Sequence, residues 1–125
     1  MGGFGALRLG AKYADRFRGI SGLSSITDLR QIRRFVEEPF SAYEAAGEVK
    51  RSVLYWMRRN RELLPPVRFD CGRKDPMLPD NRELHRRLTK EGIAHTYEEF
   101  HGAHNWDYWR RHLRDTLIFF EKCLS

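Results

Sequence analysis

"MGGFGALRLGAKYADRF" (Met1–Phe17) is the stretch on which the reading of the fold turns. Gly2, Gly3 and Gly5 crowd its start, and Phe4, Leu7 and Ala11 then recur at i, i+3 and i+7. That spacing lines one apolar face of a helix and predicts a helix over residues 4–13. Gly10 marks either a weak point or close packing against a neighbour. A glycine-rich turn running into a helix normally follows a strand, and here none precedes it. Either Met1 is the true start and the turn is an unstructured leader, or a strand belongs ahead of it.

Working outward, "FRGISGLSS" (Phe17–Ser25) reads as a short buried strand ending in small residues. Residues 27–41 are mixed, with a short helix before Pro39. Residues 48–62 read as a helix with Val49, Val53, Trp56 and Met57 on one side, stopped by Pro65-Pro66. "VRFDCG" (Val67–Gly72) is a strand, and "RKDPMLPD" (Arg73–Asp80) a loop, because Pro76 and Pro79 oppose regular structure. Asp80 or Asn81 is expected to cap a helix that runs to Lys90, with Leu84 and Leu88 inward and Gly92 as its stop. "AHTYEEF" (Ala94–Phe100) is a third strand, and "HGAHNWD" (His101–Asp107) a loop. A last helix covers residues 106–123, with Trp109, Leu113, Leu117 and Phe120 as its apolar stripe.

Strands that alternate with helices imply an α/β fold with a parallel sheet covered by helices. No internal repeat, low-complexity tract or linker divides the 125 residues, so one domain is expected. Such sheets place their functional loops at the carboxyl ends of the strands. Those loops are "GLSSITD", "GRKDPMLPDN" and "HGAHNWD".

Hydrophobic residues make up 41% of the chain, enough for a core, and Trp56, Trp106 and Trp109 with eight Phe predict large buried side chains. No apolar run is long enough to span a membrane, so no membrane partner is expected. The first residues lack a signal-peptide pattern, which implies a cytoplasmic protein if Met1 is the true start. The net charge of +6 invites a nucleic-acid reading. The basic residues are dispersed, however, and many stand beside acids at helical spacing, as in Glu83 with Arg87 and Arg58 with Glu62. Solvated helix faces explain them, and no nucleic-acid partner is expected. Cys71 and Cys123 form no CxxC and are expected to be free thiols.

The loop after the "VRFDCG" strand carries Asp75, and the loop after the "AHTYEEF" strand carries His104. An acid that accepts an imidazole Nδ1 proton, leaving the other ring nitrogen to take a proton from a nucleophile, is the arrangement of a nucleophile triad. Taken singly, Asp75 is a turn residue before proline and His104 a solvated loop histidine. Asp70 is expected to point sideways from its strand and Asp80 to cap a helix, which leaves Asp75 as the acid beside His104. His101, His104 and Asp107 are too few and too loosely spaced for a metal site. "GGFGALRLG" has Arg8 where a dinucleotide loop needs glycine, and no strand before it.

Hydrolases of the α/β class carry their nucleophile in G-x-S-x-G, on a turn between strand and helix. A serine placed directly before Met1 would make "MGGFGAL" the second half of such a turn. With "DCGRKDPMLPDN" and "HGAHNWDYW" following in order, the chain resembles the C-terminal half of the "putative esterase" family of α/β-hydrolases. That family includes feruloyl, acetyl-xylan and tributyrin esterases, S-formylglutathione hydrolase and the antigen 85 mycolyltransferases. Its pattern is an S-M-G-G-x-G-A turn, then D-x-G-x-x-D with a downstream L-x-x-N, then G-x-H-x-W. Pro76 stands where an aromatic often follows the acid.

The resemblance implies a truncated α/β-hydrolase carrying the later parallel strands, and hydrolysis of a small-molecule or carbohydrate-linked carboxylic ester by a Ser-His-Asp triad. Asp75 would be its acid and His104 its base, with the Met1 N–H as one oxyanion donor. Trp106 would line the acyl pocket, or else anchor the last helix in the core. No cofactor or metal is implied. Without its serine the chain is expected to be inactive alone and to self-associate through an exposed sheet edge. The alternative is a non-catalytic remnant or binding module built on the same fold.

Overall fold

The alternation in β2 (Val67–Gly72) sets the architecture. Val67, Phe69 and Cys71 point to one side and Arg68, Asp70 and Gly72 to the other, and all six are buried. A strand buried on both sides is the middle of a covered sheet. The computed structural model describes residues 2–28, 30–31 and 52–125. Among these, three parallel strands lie in the order β1 (Ile20–Leu23), β2, β3 (Thr96–Phe100). Ile20 registers with Val67, and Arg68 with Thr96.

Helices connect the strands as parallel pairing requires. α1 (Gly2–Lys12) precedes β1, α2 (Val53–Arg59) precedes β2, α3 (Leu78–Lys90) joins β2 to β3, and α4 (Trp106–Leu124) follows β3. Leu7 of α1, Met57 of α2 and Leu84 and Leu88 of α3 share one apolar cluster with Ile20, Phe69 and Cys71. Burying one such side chain contributes about 1.5–3 kcal/mol. α1 lies close on the sheet, since a Cβ at Gly10 would stand 2.8 Å from the Ile20 side chain. α4 covers the opposite face, where Thr116 hydrogen-bonds Ser21 of β1 at 2.8 Å.

Several elements differ from their sequence reading. β1 is only four residues long. Ser52 caps α2 by accepting from the Tyr55 N–H, and the helix ends at Arg59, short of the proline pair. The helical reading at 48–51, most of the mixed stretch 27–41 and the helix before Pro39 lie outside the described residues. α3 starts at Leu78, inside the expected loop, with Pro79 in its first turn. Proline is tolerated there because its missing N–H has no helical partner. Asp80 is therefore a first-turn residue and not the cap. Arg58 pairs with Glu91 at 2.6 Å rather than with Glu62.

The largest difference is the orientation of α4. Its buried residues are Tyr108 and Thr116, whereas Leu113 and Leu117 of the expected core stripe are 52% and 60% exposed. The face of the sheet beneath α4 carries Ser21, Arg68 and Asp70, so the Thr116 and Tyr108 hydroxyls turn inward to meet them.

Candidate active site

Asp75 follows β2 and His104 follows β3, so both stand at the carboxyl ends of neighbouring strands. The Asp75 side chain is wholly buried, and its Oδ2 lies 2.9 Å from Nδ1 of His104, whose side chain is 30% exposed. Asp75 Oδ1 accepts from the Met77 N–H at 2.7 Å, which fixes the carboxylate at the entry to α3. An imidazole held at Nδ1 by a buried carboxylate is set in the tautomer whose Nε2 can accept a proton.

The two loops are joined through their backbones. The Arg73 N–H donates to the Phe100 carbonyl and the Lys74 N–H to the Gly102 carbonyl, each at 2.8 Å. A Cβ at Gly72 would stand 2.4 Å from the Gly102 carbonyl oxygen, so only glycine allows this approach. Gly102 itself takes φ +137°, a conformation side chains rarely adopt. Beyond His104, Asn105 caps α4 by accepting from the Tyr108 N–H at 3.1 Å. The Trp109 ring meets His104 edge-on, 5.0 Å between centroids.

His104 lines an open groove of about 780 Å³ that runs between the start of α1 and the start of α4. Gly2, Gly3 and Ala6 form one wall, Trp106, Trp109 and Leu113 the other, and Leu23 and Ser24 lie at the end of β1. Trp106 is 76% exposed. It is a groove residue and not the core anchor that the sequence left open. Met1 lies outside the described residues. His101 is exposed and lies apart from the groove, beside a shallow recess with Asp107 and Arg111.

The serines of β1 and the loop after it are bonded or enclosed. Ser21 is part of β1, bonded to Thr116. The Ser24 and Ser25 hydroxyls are buried. Cys71 and Cys123 are free thiols, and burial pushes the Cys71 thiol up to about 12. A protonated, enclosed thiol is no nucleophile.

Arg68 and Tyr108 were given no role from the sequence, and Asn81, expected there as a cap, lies buried inside α3 instead. Arg68 and Tyr108 both bind the Asp70 carboxylate beneath α4. Asn81 of α3 donates to the Ser25 carbonyl at 2.9 Å and so ties the loop after β1 to α3. The signal for the first two was present: a buried strand with Arg68 and Asp70 on one face needs buried partners.

The family model described as "Putative esterase" matches residues 1–120. The chain belongs to this esterase family. It is 30% identical to an acetyl esterase of Caldicellulosiruptor saccharolyticus over 138 aligned residues, covering 98% of this chain and 52% of that protein. Among solved structures it resembles S-formylglutathione hydrolase from Staphylococcus aureus at TM-score 0.82 and 17% identity, over 95% of this chain and 50% of that one. It resembles a ferulic acid esterase at TM-score 0.79 and 21% identity, over 98% of this chain and 48% of that one. At these identities the structures show the α/β-hydrolase fold. The chain spans about half the length of the relatives it matches.

Proposed function

We propose that this chain supplies the acid and base of a serine carboxylic-ester hydrolase. The observation that carries the reading is the 2.9 Å contact between the buried Asp75 carboxylate and His104, beside a groove walled by the start of α1. In this reading a serine ahead of Met1 attacks the ester carbonyl and His104 takes its proton, later passing it to the leaving alcohol. Asp75 holds the imidazole in orientation and stabilises its charged form. The Met1 N–H would donate to the oxyanion, a contribution worth a large share of the rate. Trp106 and Trp109 would flank the acyl or alcohol group.

The 125 residues alone would then lack the nucleophile and would not turn over. They would also self-associate, because among the described residues β1 has a strand partner on one side only and Leu113 and Leu117 are exposed. The test is to offer the purified chain p-nitrophenyl acetate and butyrate together with a fluorophosphonate probe. No turnover and no covalent label are expected. A burst, turnover and a labelled serine within residues 1–125 would overturn the missing-nucleophile part of the reading.

A further inference from the structure

The first carboxylate of the D-x-G-x-x-D stretch, Asp70, has no part in the chemistry above, yet it is among the most enclosed groups in the molecule. It is 0% exposed. Its Oδ2 accepts from Arg68 Nη1 at 2.6 Å, and its Oδ1 accepts from the Tyr108 hydroxyl. Arg68 is itself 3% exposed and reaches Glu98 at 3.5 Å. Burying a carboxylate costs several kcal/mol even with a partner, and well-packed apolar residues often serve stability as well or better. An ion pair with Arg68 alone would satisfy the charge, so the second oxygen's partner needs its own explanation.

That partner touches the loop that carries His104. A Cβ on Gly102 would stand 2.9 Å from Cδ2 of Tyr108, so the ring lies directly against the Gly102 backbone. The stretch from Asp70 to Asp75 therefore grips the stretch from Gly102 to Tyr108 at three points. Asp75 holds His104. Gly72 abuts Gly102, with the Lys74 N–H bonded to the Gly102 carbonyl. Asp70 holds Tyr108. Without the other two points, the Asp75–His104 bond would have to carry this contact between the two stretches.

We propose that Asp70 and Tyr108 are positioning residues for His104: the hydroxyl anchored on the buried carboxylate presses the ring against Gly102 and fixes the loop that presents the imidazole to Asp75. The two carboxylates of the motif divide the work, one orienting the ring and the other the backbone behind it. The inference rests on the reading of His104 and Asp75 as base and acid. Its test needs no turnover, so failure of the esterase assay and failure of this proposal are separate results.

The experiment is long-range proton–nitrogen NMR of the ¹⁵N-labelled chain, with His104 assigned by substitution. The native chain should show His104 as one sharp tautomer protonated at Nδ1. Asp75→Ala, which removes the acceptor, sets the pattern for a lost bond, with both tautomers mixed. Tyr108→Phe, which keeps the ring and removes the hydroxyl, should shift His104 toward that mixed pattern. Asp70→Asn, which keeps an acceptor for the hydroxyl, should retain the native pattern. Leu88→Ala, a core truncation remote from the loop, should retain it too, although it lowers stability. Spectra are taken in sucrose, which is excluded from the protein surface and keeps weakened variants folded. A native His104 pattern in Tyr108→Phe would overturn the proposal. So would loss of the pattern in Leu88→Ala, since that would reduce the effect to general destabilisation.

Discussion

On one face of β2, Val67, Phe69 and Cys71 meet Leu7, Met57, Leu84 and Leu88 from three different helices. On the other, Arg68 and Asp70 meet Tyr108 and Thr116 from α4 alone. The first is non-directional packing, where losing part of a side chain costs in proportion to what is lost. The second is a set of directional bonds in which each buried group depends on a particular partner. Among the described residues, Arg68 Nη2 is already buried without a partner. The contrast teaches that directional bonds, beside the packing of the Tyr108 and His112 rings, hold α4 on the sheet. Its apolar Leu113 and Leu117 are thereby left outward.

The contrast can be broken most forcefully at Asp70. Asp70→Ala leaves the buried Arg68 with only the more distant, half-exposed Glu98 at 3.5 Å and should cost ~3–5 kcal/mol, a large part of a small domain's stability. Replacing Arg68 and Asp70 together by Met and Leu should recover most of that loss. Urea unfolding of the single and double variants reads both, and a double variant as unstable as the single would show that the pairing is not the cause.

On the apolar face, Leu88→Ala should cost ~2–5 kcal/mol through lost burial and the cavity left behind. Here a second truncation of the same cluster should deepen the loss and not repair it. Recovery by the second truncation would erase the distinction between the two faces.

A smaller effect is expected where α4 meets β1. Thr116→Val breaks the 2.8 Å bond to Ser21 and should cost about 1 kcal/mol. Combined with Ser21→Ala the cost should be less than the sum, because no buried hydroxyl then remains without its mate. Strictly additive costs from thermal unfolding would show that the two hydroxyls are not coupled.

The pH dependence differs in sign between the faces. Between α3 and β3, His85 Nδ1 lies 2.7 Å from His95 Nε2, and burial followed by the His95 charge lowers the His85 pKa. The unfolded chain therefore binds the proton first, and stability should fall as pH drops below about 6.5. His85→Gln should flatten that slope in melting curves; an unchanged slope would assign it elsewhere. For Asp70, burial outweighs the Tyr108 and Arg68 contributions and raises the pKa above 3.8. Its contribution is present below that value and is lost as pH rises through the raised one.

The smallest stability change should come from the outward leucines. Leu113→Gln with Leu117→Gln should alter stability by under about 0.5 kcal/mol, since both side chains are more than half exposed. The same pair should shift the sedimentation profile toward monomer. An unchanged profile would remove this face from any self-association.

Local pattern carried the alternation of helices and strands and the loops, because the period of two in "VRFDCG" and the glycines and prolines around it are local signals. It also placed Asp75 and His104 at the ends of neighbouring strands, where the structure brings them to 2.9 Å. It did not reveal which stripe of α4 would face the sheet. Periodicity defines stripes on a helix, but the choice depends on what lies opposite, and here that is Ser21, Arg68 and Asp70. The same gap hid Asp70: a period of two gives the side of the sheet and not the partner, which stands 38 residues away at Tyr108. Pro79 misled for a third reason, since proline excludes a helix interior but not its first turn.

The most direct test is turnover in a chain extended ahead of Met1 by a segment ending in a G-x-S turn. Against p-nitrophenyl acetate, His104→Ala should lower kcat/KM by roughly 10⁴-fold or more, as loss of a triad member does, whereas His101→Ala should change it only slightly. An extended chain that keeps its turnover in His104→Ala, or loses it equally in both variants, would contradict the assignment of His104 as the base.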